Sequence, residues 1–107
     1  MEIIELADQD FAALIKSRPA VLVYFTADWC TACRSTGMFL AKIAERYKDS
    51  DLTVLKVDAD QFPDLLKNHD VSSLPNFQLY RRGESIFQKA GALSVTVFNE
   101  ILRLATE

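Results

Sequence analysis

Cys30 and Cys33 stand three positions apart in a chain of 107 that holds no other cysteine. Residues three apart on one helical turn share a face, with Cα atoms roughly 5 to 6 Å apart, within reach of a disulfide. Such a pair can open and close without rearranging the domain around it. A loop this short removes little entropy from the unfolded chain, so the bond is of little use as a staple and asks for a chemical explanation. A thiol at a helix start faces unpaired N–H groups and the positive end of the helix dipole, both of which favour the thiolate. Cys30 is therefore assigned the attack on a disulfide, and Cys33, one turn inside, the resolution of the mixed disulfide. Two buried thiols meeting by accident is the plain alternative. Zinc fits poorly, because a structural site usually takes four Cys or His ligands and His69 is the single histidine.

The pair needs a rigid mount. Ala20 to Thr26, AVLVYFT, is an almost unbroken β-branched and aromatic run, as expected for a strand buried on both faces at the centre of a sheet. Directly after it, a helical pattern runs to about Lys48, with Phe39, Leu40, Ile43, Ala44 and Tyr47 at spacings of three and four. Strand and helix meet at the cysteines, and ligands of open α/β sheets gather beyond the carboxyl ends of strands. Upstream, Glu2 to Leu6 reads as a short strand, and Asp8, Gln9 or Asp10 as the cap of a helix ending near Ser17, with Phe11, Leu14 and Ile15 on one face. Downstream come a strand at Leu52 to Asp58 and a short helix at Asp60 to Asn68, where Pro63 is tolerable only in the first turn. Asn76 to Tyr80 and Ser85 to Lys89 read as a hairpin turned at Gly83, and Ser94 caps a last helix with Val97, Phe98, Ile101 and Leu102 on its apolar face. This order packs as a central mixed sheet with helices on both faces, and leaves the place of the first strand open.

Length allows one domain, residues 1–107, with half its residues hydrophobic. Twelve basic against fifteen acidic residues give a formal charge of −3 with both signs scattered, so there is no basic stripe for nucleic acid. The acidic start is unlike a signal peptide, and no apolar run approaches a membrane span. These features point to a soluble, cytoplasmic protein, and in a reducing compartment a Cys pair is more often redox-active or metal-binding than structural.

AVLVYFTADWCTACR, LTVLKVDAD, VSSLPNF and the late glycines of RRGE and AGALS together resemble the thioredoxin family over essentially the whole chain. The resemblance implies a thioredoxin fold, a central mixed five-stranded sheet flanked by four helices, and protein dithiol/disulfide exchange in a monomer. No bound cofactor is implied, since the Cys30–Cys33 disulfide is itself the redox group. It puts Pro75 at the position held in the cis form beside the cysteines, Leu74 where the backbone is offered to an extended client, Trp29 at the flanking tryptophan and Gly91 near the client groove. Trp29 is either a contact for the partner or simple surface packing.

Departures from the family pattern surround the pair. Thr31 and Ala32 replace Gly-Pro, which restores a backbone N–H near the helix start and adds a hydroxyl able to donate to the Cys30 sulfur. A thiolate so stabilised favours the reduced form, hence a more oxidising protein. Tyr24 stands where the family carries a buried aspartate that moves the proton of the resolving thiol, and a phenol is a poor base at neutral pH. Lys56 matches the partner of that aspartate; it must snorkel to water or pair with Asp58 or another carboxylate. Arg34 replaces a common lysine, and either favours nearby thiolates or makes a surface ion pair. Thr26 replaces a tryptophan, and Met38 a helix-kinking proline, so the helix is expected to run straighter. His69, amid Asn68 and Asp70, reads as exposed.

The leading reading is a protein-disulfide oxidoreductase acting on disulfide-containing clients and re-reduced by an NADPH-dependent or other flavoprotein thioredoxin reductase. The alternatives are an adaptor that docks clients at Trp29 and the Pro75 loop with slow or vestigial thiol chemistry, and a scaffold subunit. Retention of both cysteines favours the first.

Overall fold

Why the cysteines are held firmly follows from the strand beneath them. In a computed structural model, which describes residues 1–106, five strands form one sheet: β1 (Glu2–Glu5), β2 (Ala20–Thr26), β3 (Leu52–Asp58), β4 (Asn76–Arg81) and β5 (Glu84–Ala90). Their order is β1-β3-β2-β4-β5. β2 runs parallel to β3 and antiparallel to β4, so the sheet is mixed. Every residue of β2 is buried, as its apolar run requires. Because side chains alternate across a strand, Ala20, Leu22 and Tyr24 enter one core and Val21, Val23 and Phe25 the other.

Four helices, α1 (Phe11–Ser17), α2 (Thr31–Arg46), α3 (Pro63–Asn68) and α4 (Val95–Thr106), cover the two faces. Leu40 of α2 and Phe98 and Ile101 of α4 pack on Leu22, Tyr24, Phe77 and Leu79; α1 and α3 bring Ile15, Leu14, Leu65 and Leu66 to the opposite core. Local chemistry sets their ends. The Asp10 carboxylate accepts the Ala13 N–H at 3.1 Å, and Ser94 Oγ accepts the Val97 N–H at 3.1 Å. Pro63 stands at the first position of α3, where its missing N–H costs nothing. α2 continues through Met38, which is exposed, and ends at Arg46 rather than near Lys48 because Tyr47 turns out of helical geometry.

The strand left unplaced by the sequence, β1, pairs parallel with β3 at the sheet edge, which is why its residues are largely exposed. The β4–β5 connection is a two-residue turn in which Arg82 and Gly83 take φ of 51° and 86° between the paired Arg81 and Glu84. Both positive angles match the twist of a hairpin, and glycine meets the second without strain. His69 departs from its expected exposure. It is half-buried at the end of α3, its ring 5.1 Å from that of Phe11 and edge-on to it. Polar neighbours on either side concealed a side chain that the end of α3 turns inward.

Candidate active site

β2 ends at Thr26, and four residues later Cys30 becomes the N-cap of α2, its sulfur accepting the Cys33 N–H at 3.2 Å. A sulfur thus occupies the place of a capping oxygen at the helix start. Cys30 and Cys33 are joined as a disulfide with Cα atoms 5.2 Å apart, as their spacing requires. Both cysteines are largely buried, Cys30 at 9% exposure and Cys33 at 1%, so Cys30 is the more accessible of the two. Thr31 and Ala32 are exposed, and among the described residues no hydrogen bond joins the Thr31 hydroxyl to the Cys30 sulfur. The donor is the backbone N–H of Cys33 instead.

Ala27, Ala59 and Leu74 pack around the two sulfurs. The Leu74–Pro75 bond is cis, and the Pro75 carbonyl accepts the Gly91 N–H at 2.8 Å, which joins the glycine to the same loop. Gly91 has φ of 95°, and open space surrounds the position a Cβ would take. Trp29 is 66% exposed, yet its indole N–H donates to the Asp60 carboxylate at 3.1 Å, so the ring is held in place on an open surface. The sequence reading gave Asp60 only as the start of a short helix, which in fact begins at Pro63, and did not place it at Trp29. The Asp60 N–H donates to Asp58 Oδ1 at 2.8 Å, an Asx-type turn that aims Asp60 at the indole.

Below the pair, Tyr24 stacks on Phe77 with ring centroids 5.0 Å apart and donates its hydroxyl to the Cys33 carbonyl oxygen at 2.6 Å. Burial pushes its phenol pKa above the ordinary value near 10. The phenol is therefore a fixed donor to the backbone of the resolving cysteine. Lys56 pairs with Glu5 of β1 at 3.5 Å, not with Asp58, because the parallel register sets Glu5 beside it. Tyr24, Asp28, Cys33, Arg34 and Lys56 all line a cavity of about 250 Å³ beside Cys33. Arg34 is exposed and joins no ion pair among the described residues. A larger cleft, about 860 Å³, lies at the other end of the sheet near Arg46 and Arg81 and contains neither cysteine. Among the described residues no group of three His, Cys, Asp or Glu is placed to hold a metal ion, and no helix is long and apolar enough to cross a membrane.

The raised Tyr24 pKa has a defined consequence for stability. The native state holds this proton more tightly than the unfolded chain, so its contribution is complete below about pH 10 and is lost as pH rises beyond that value. Tyr80, also raised by burial, acts in the same sense. Urea midpoints measured from neutral to strongly alkaline pH should fall above about pH 10, less steeply in Tyr24→Phe. Equal alkaline slopes in the two proteins would refute the assignment.

A mixed five-stranded sheet with four helices, carrying a Cys-x-x-Cys disulfide at the strand-to-helix junction beside a cis-proline, defines a protein-disulfide oxidoreductase of the thioredoxin fold. The thioredoxin family profile matches residues 2–103. The chain is 33% identical over 103 residues to a thioredoxin of Buchnera aphidicola, covering 95% of this chain and 94% of that one. It is 34% identical over 103 residues to a thioredoxin of Griffithsia pacifica, covering 94% of each. Among solved structures, reduced Schistosoma mansoni thioredoxin superposes with a TM-score of 0.83 at 28% identity, over 96% of this chain and 98% of that one. Oxidised thioredoxin from Plasmodium falciparum gives 0.82 at 25% identity over the same shares. The chain belongs to the thioredoxin family.

Proposed function

We infer that this protein exchanges its dithiol with disulfides of client proteins in the cytoplasm, as a one-domain monomer, at a potential more oxidising than that of Gly-Pro members of its family. The observation that carries the reading is the unequal setting of two bonded cysteines: Cys30 the more accessible, at a helix N-terminus, and Cys33 fully buried one turn inside. In the reducing direction the Cys30 thiolate attacks one client sulfur, forming a mixed disulfide and expelling the other client sulfur as a thiolate. Cys33, once deprotonated, attacks Cys30 Sγ; the mixed disulfide breaks, Cys30–Cys33 forms, and the second client thiolate leaves. Two electrons have passed from the dithiol to the client.

Trp29, Leu74, Pro75 and Gly91 form the docking surface in this reading. Its support is that Trp29 is open to solvent and that, among the described residues, the Leu74 N–H and C=O have no hydrogen-bond partner. An extended client strand would satisfy them. The more oxidising potential rests on the N–H that Ala32 restores near the helix start in place of proline, an added donor to the Cys33 N–H already at the Cys30 sulfur, since donors to the thiolate stabilise the reduced form. Tyr24 slows resolution because it offers Cys33 a donor and no base. Arg34 and Lys56, at the rim of the same cavity, add positive charge beside the thiolates.

Insulin reduction tests the function. With dithiothreitol as donor the protein should accelerate insulin precipitation, and with a flavoprotein thioredoxin reductase and NADPH it should turn over without added dithiol. Activity with dithiothreitol alone would remove the reductase from the reading. Activity with neither would leave a client-binding adaptor.

A further inference from the structure

His69, Tyr80 and Gln78 form a closed ring of hydrogen bonds that thiol exchange does not use. Tyr80 Oη lies 3.1 Å from His69 Nδ1 and 3.2 Å from Gln78 Oε1, while Gln78 Nε2 donates to the His69 carbonyl oxygen at 3.1 Å. The donor inventory sets the direction. Gln78 Oε1 only accepts, so it takes the single Tyr80 hydroxyl proton, and His69 Nδ1 must then carry the proton and donate to Tyr80 Oη. Gln78 is 4% exposed and Tyr80 9%. A buried amide or hydroxyl left unpaired is costly, which holds the three bonds together as a set.

The ring closes the base of a loop. His69 follows α3, Gln78 and Tyr80 belong to β4, and between them residues 70–75 carry the Leu74–Pro75 bond. Within the loop, Asp70 donates to Lys67 O at 3.3 Å and Val71 to Leu66 O at 2.9 Å, and at its far end Gly91 donates to Pro75 O at 2.8 Å. Residues 72–74 make no backbone hydrogen bond among the described residues. Hydrogen bonds thus reach this stretch only at its two ends, with Leu74 packed on the core between them, and the ring ties those ends together. None of the ring's residues belongs to the group packed around Cys30 and Cys33.

We propose that the His69–Tyr80–Gln78 ring positions the loop on which protein clients dock, and so sets affinity for clients while leaving the sulfur chemistry alone. The proposal rests on docking at Leu74 and Pro75. A client strand that meets a preset loop need not order it on binding; without the ring that ordering is added to each encounter and raises KM. Three positioning residues on β4 and at the end of α3 thereby act on a surface none of them lines.

The test uses the full chain with Tyr80→Phe and, to guard against an orphaned amide, the double variant Gln78→Leu/Tyr80→Phe, which replaces both buried partners by apolar groups of similar shape. Circular dichroism establishes which of them is folded. Amide exchange of Val71 and Gly91, whose N–H groups are bonded at the two ends of the loop, should speed by about tenfold, KM for insulin should rise by about three- to tenfold, and kcat should stay within about twofold. The rate with the small disulfide cystamine, which needs no docking surface, should also stay within about twofold. Unchanged amide exchange would overturn the clamp itself. Faster exchange with unchanged insulin KM would overturn its functional role, and Leu74→Gly then locates the fault. If that variant raises KM, the loop docks clients and the ring is irrelevant to it; if it does not, docking at the loop is what fails.

Discussion

Replacing Cys33 by serine is expected to stop the reaction after its first half. Cys30 keeps its place at the start of α2 and still attacks, but the chain has no other cysteine to resolve the product. An internal thiol acts at an effective concentration far above that of any free thiol, so decay of the mixed disulfide should slow by at least roughly a thousandfold. With prereduced Cys33→Ser and insulin, mass spectrometry should find about one client chain bound per protein through Cys30. Cys30→Ser should bind none. Efficient capture by Cys30→Ser and not by Cys33→Ser would reverse the two roles and with them the meaning of their unequal burial.

The second large effect is a gain. Tyr24 donates to the Cys33 carbonyl and is held protonated by burial, so nothing in its place removes the Cys33 proton at neutral pH. Tyr24→Asp puts a carboxylate there, and mixed-disulfide decay at pH 7 should quicken by about tenfold to a hundredfold, near the lower end of what a positioned base supplies. The wild-type rate should climb steadily with pH, whereas the aspartate variant should level off earlier. Losing the stack on Phe77 and burying a carboxylate should cost about 2 to 4 kcal/mol of stability. Tyr24→Asn carries the same loss of packing without a base. Equal rates in the Asp and Asn variants would contradict the role assigned to Tyr24.

What could be read from the sequence was local. β2 is legible because a strand buried on both faces has no room for polar residues, and the cysteine geometry because one helical turn determines it. The caps at Asp10 and Ser94, the place of Pro63 and the turn at Gly83 are likewise set by a few neighbouring residues. Pairings across the sheet were hidden. Glu5 meets Lys56 only because β1 lies parallel to β3 in one register, and no pattern within LTVLKVD or EIIE specifies that register. Asp60 finds the Trp29 indole across 31 residues of sequence, and His69 finds Tyr80 across 11. The Thr31 hydroxyl shows the reverse error: it was an available donor to the Cys30 sulfur by chemistry, but its side chain is exposed and the Cys33 N–H takes that place.

A redox titration tests most directly the proposal that a thioredoxin frame with Thr31-Ala32 between its cysteines is a more oxidising dithiol than a Gly-Pro one. The purified protein would be equilibrated with glutathione buffers, quenched by alkylation, and the Cys30–Cys33 disulfide quantified by mass. The expected result is one two-electron transition with a midpoint clearly above about −270 mV, the potential of a typical thioredoxin. A midpoint at or below about −270 mV would contradict it.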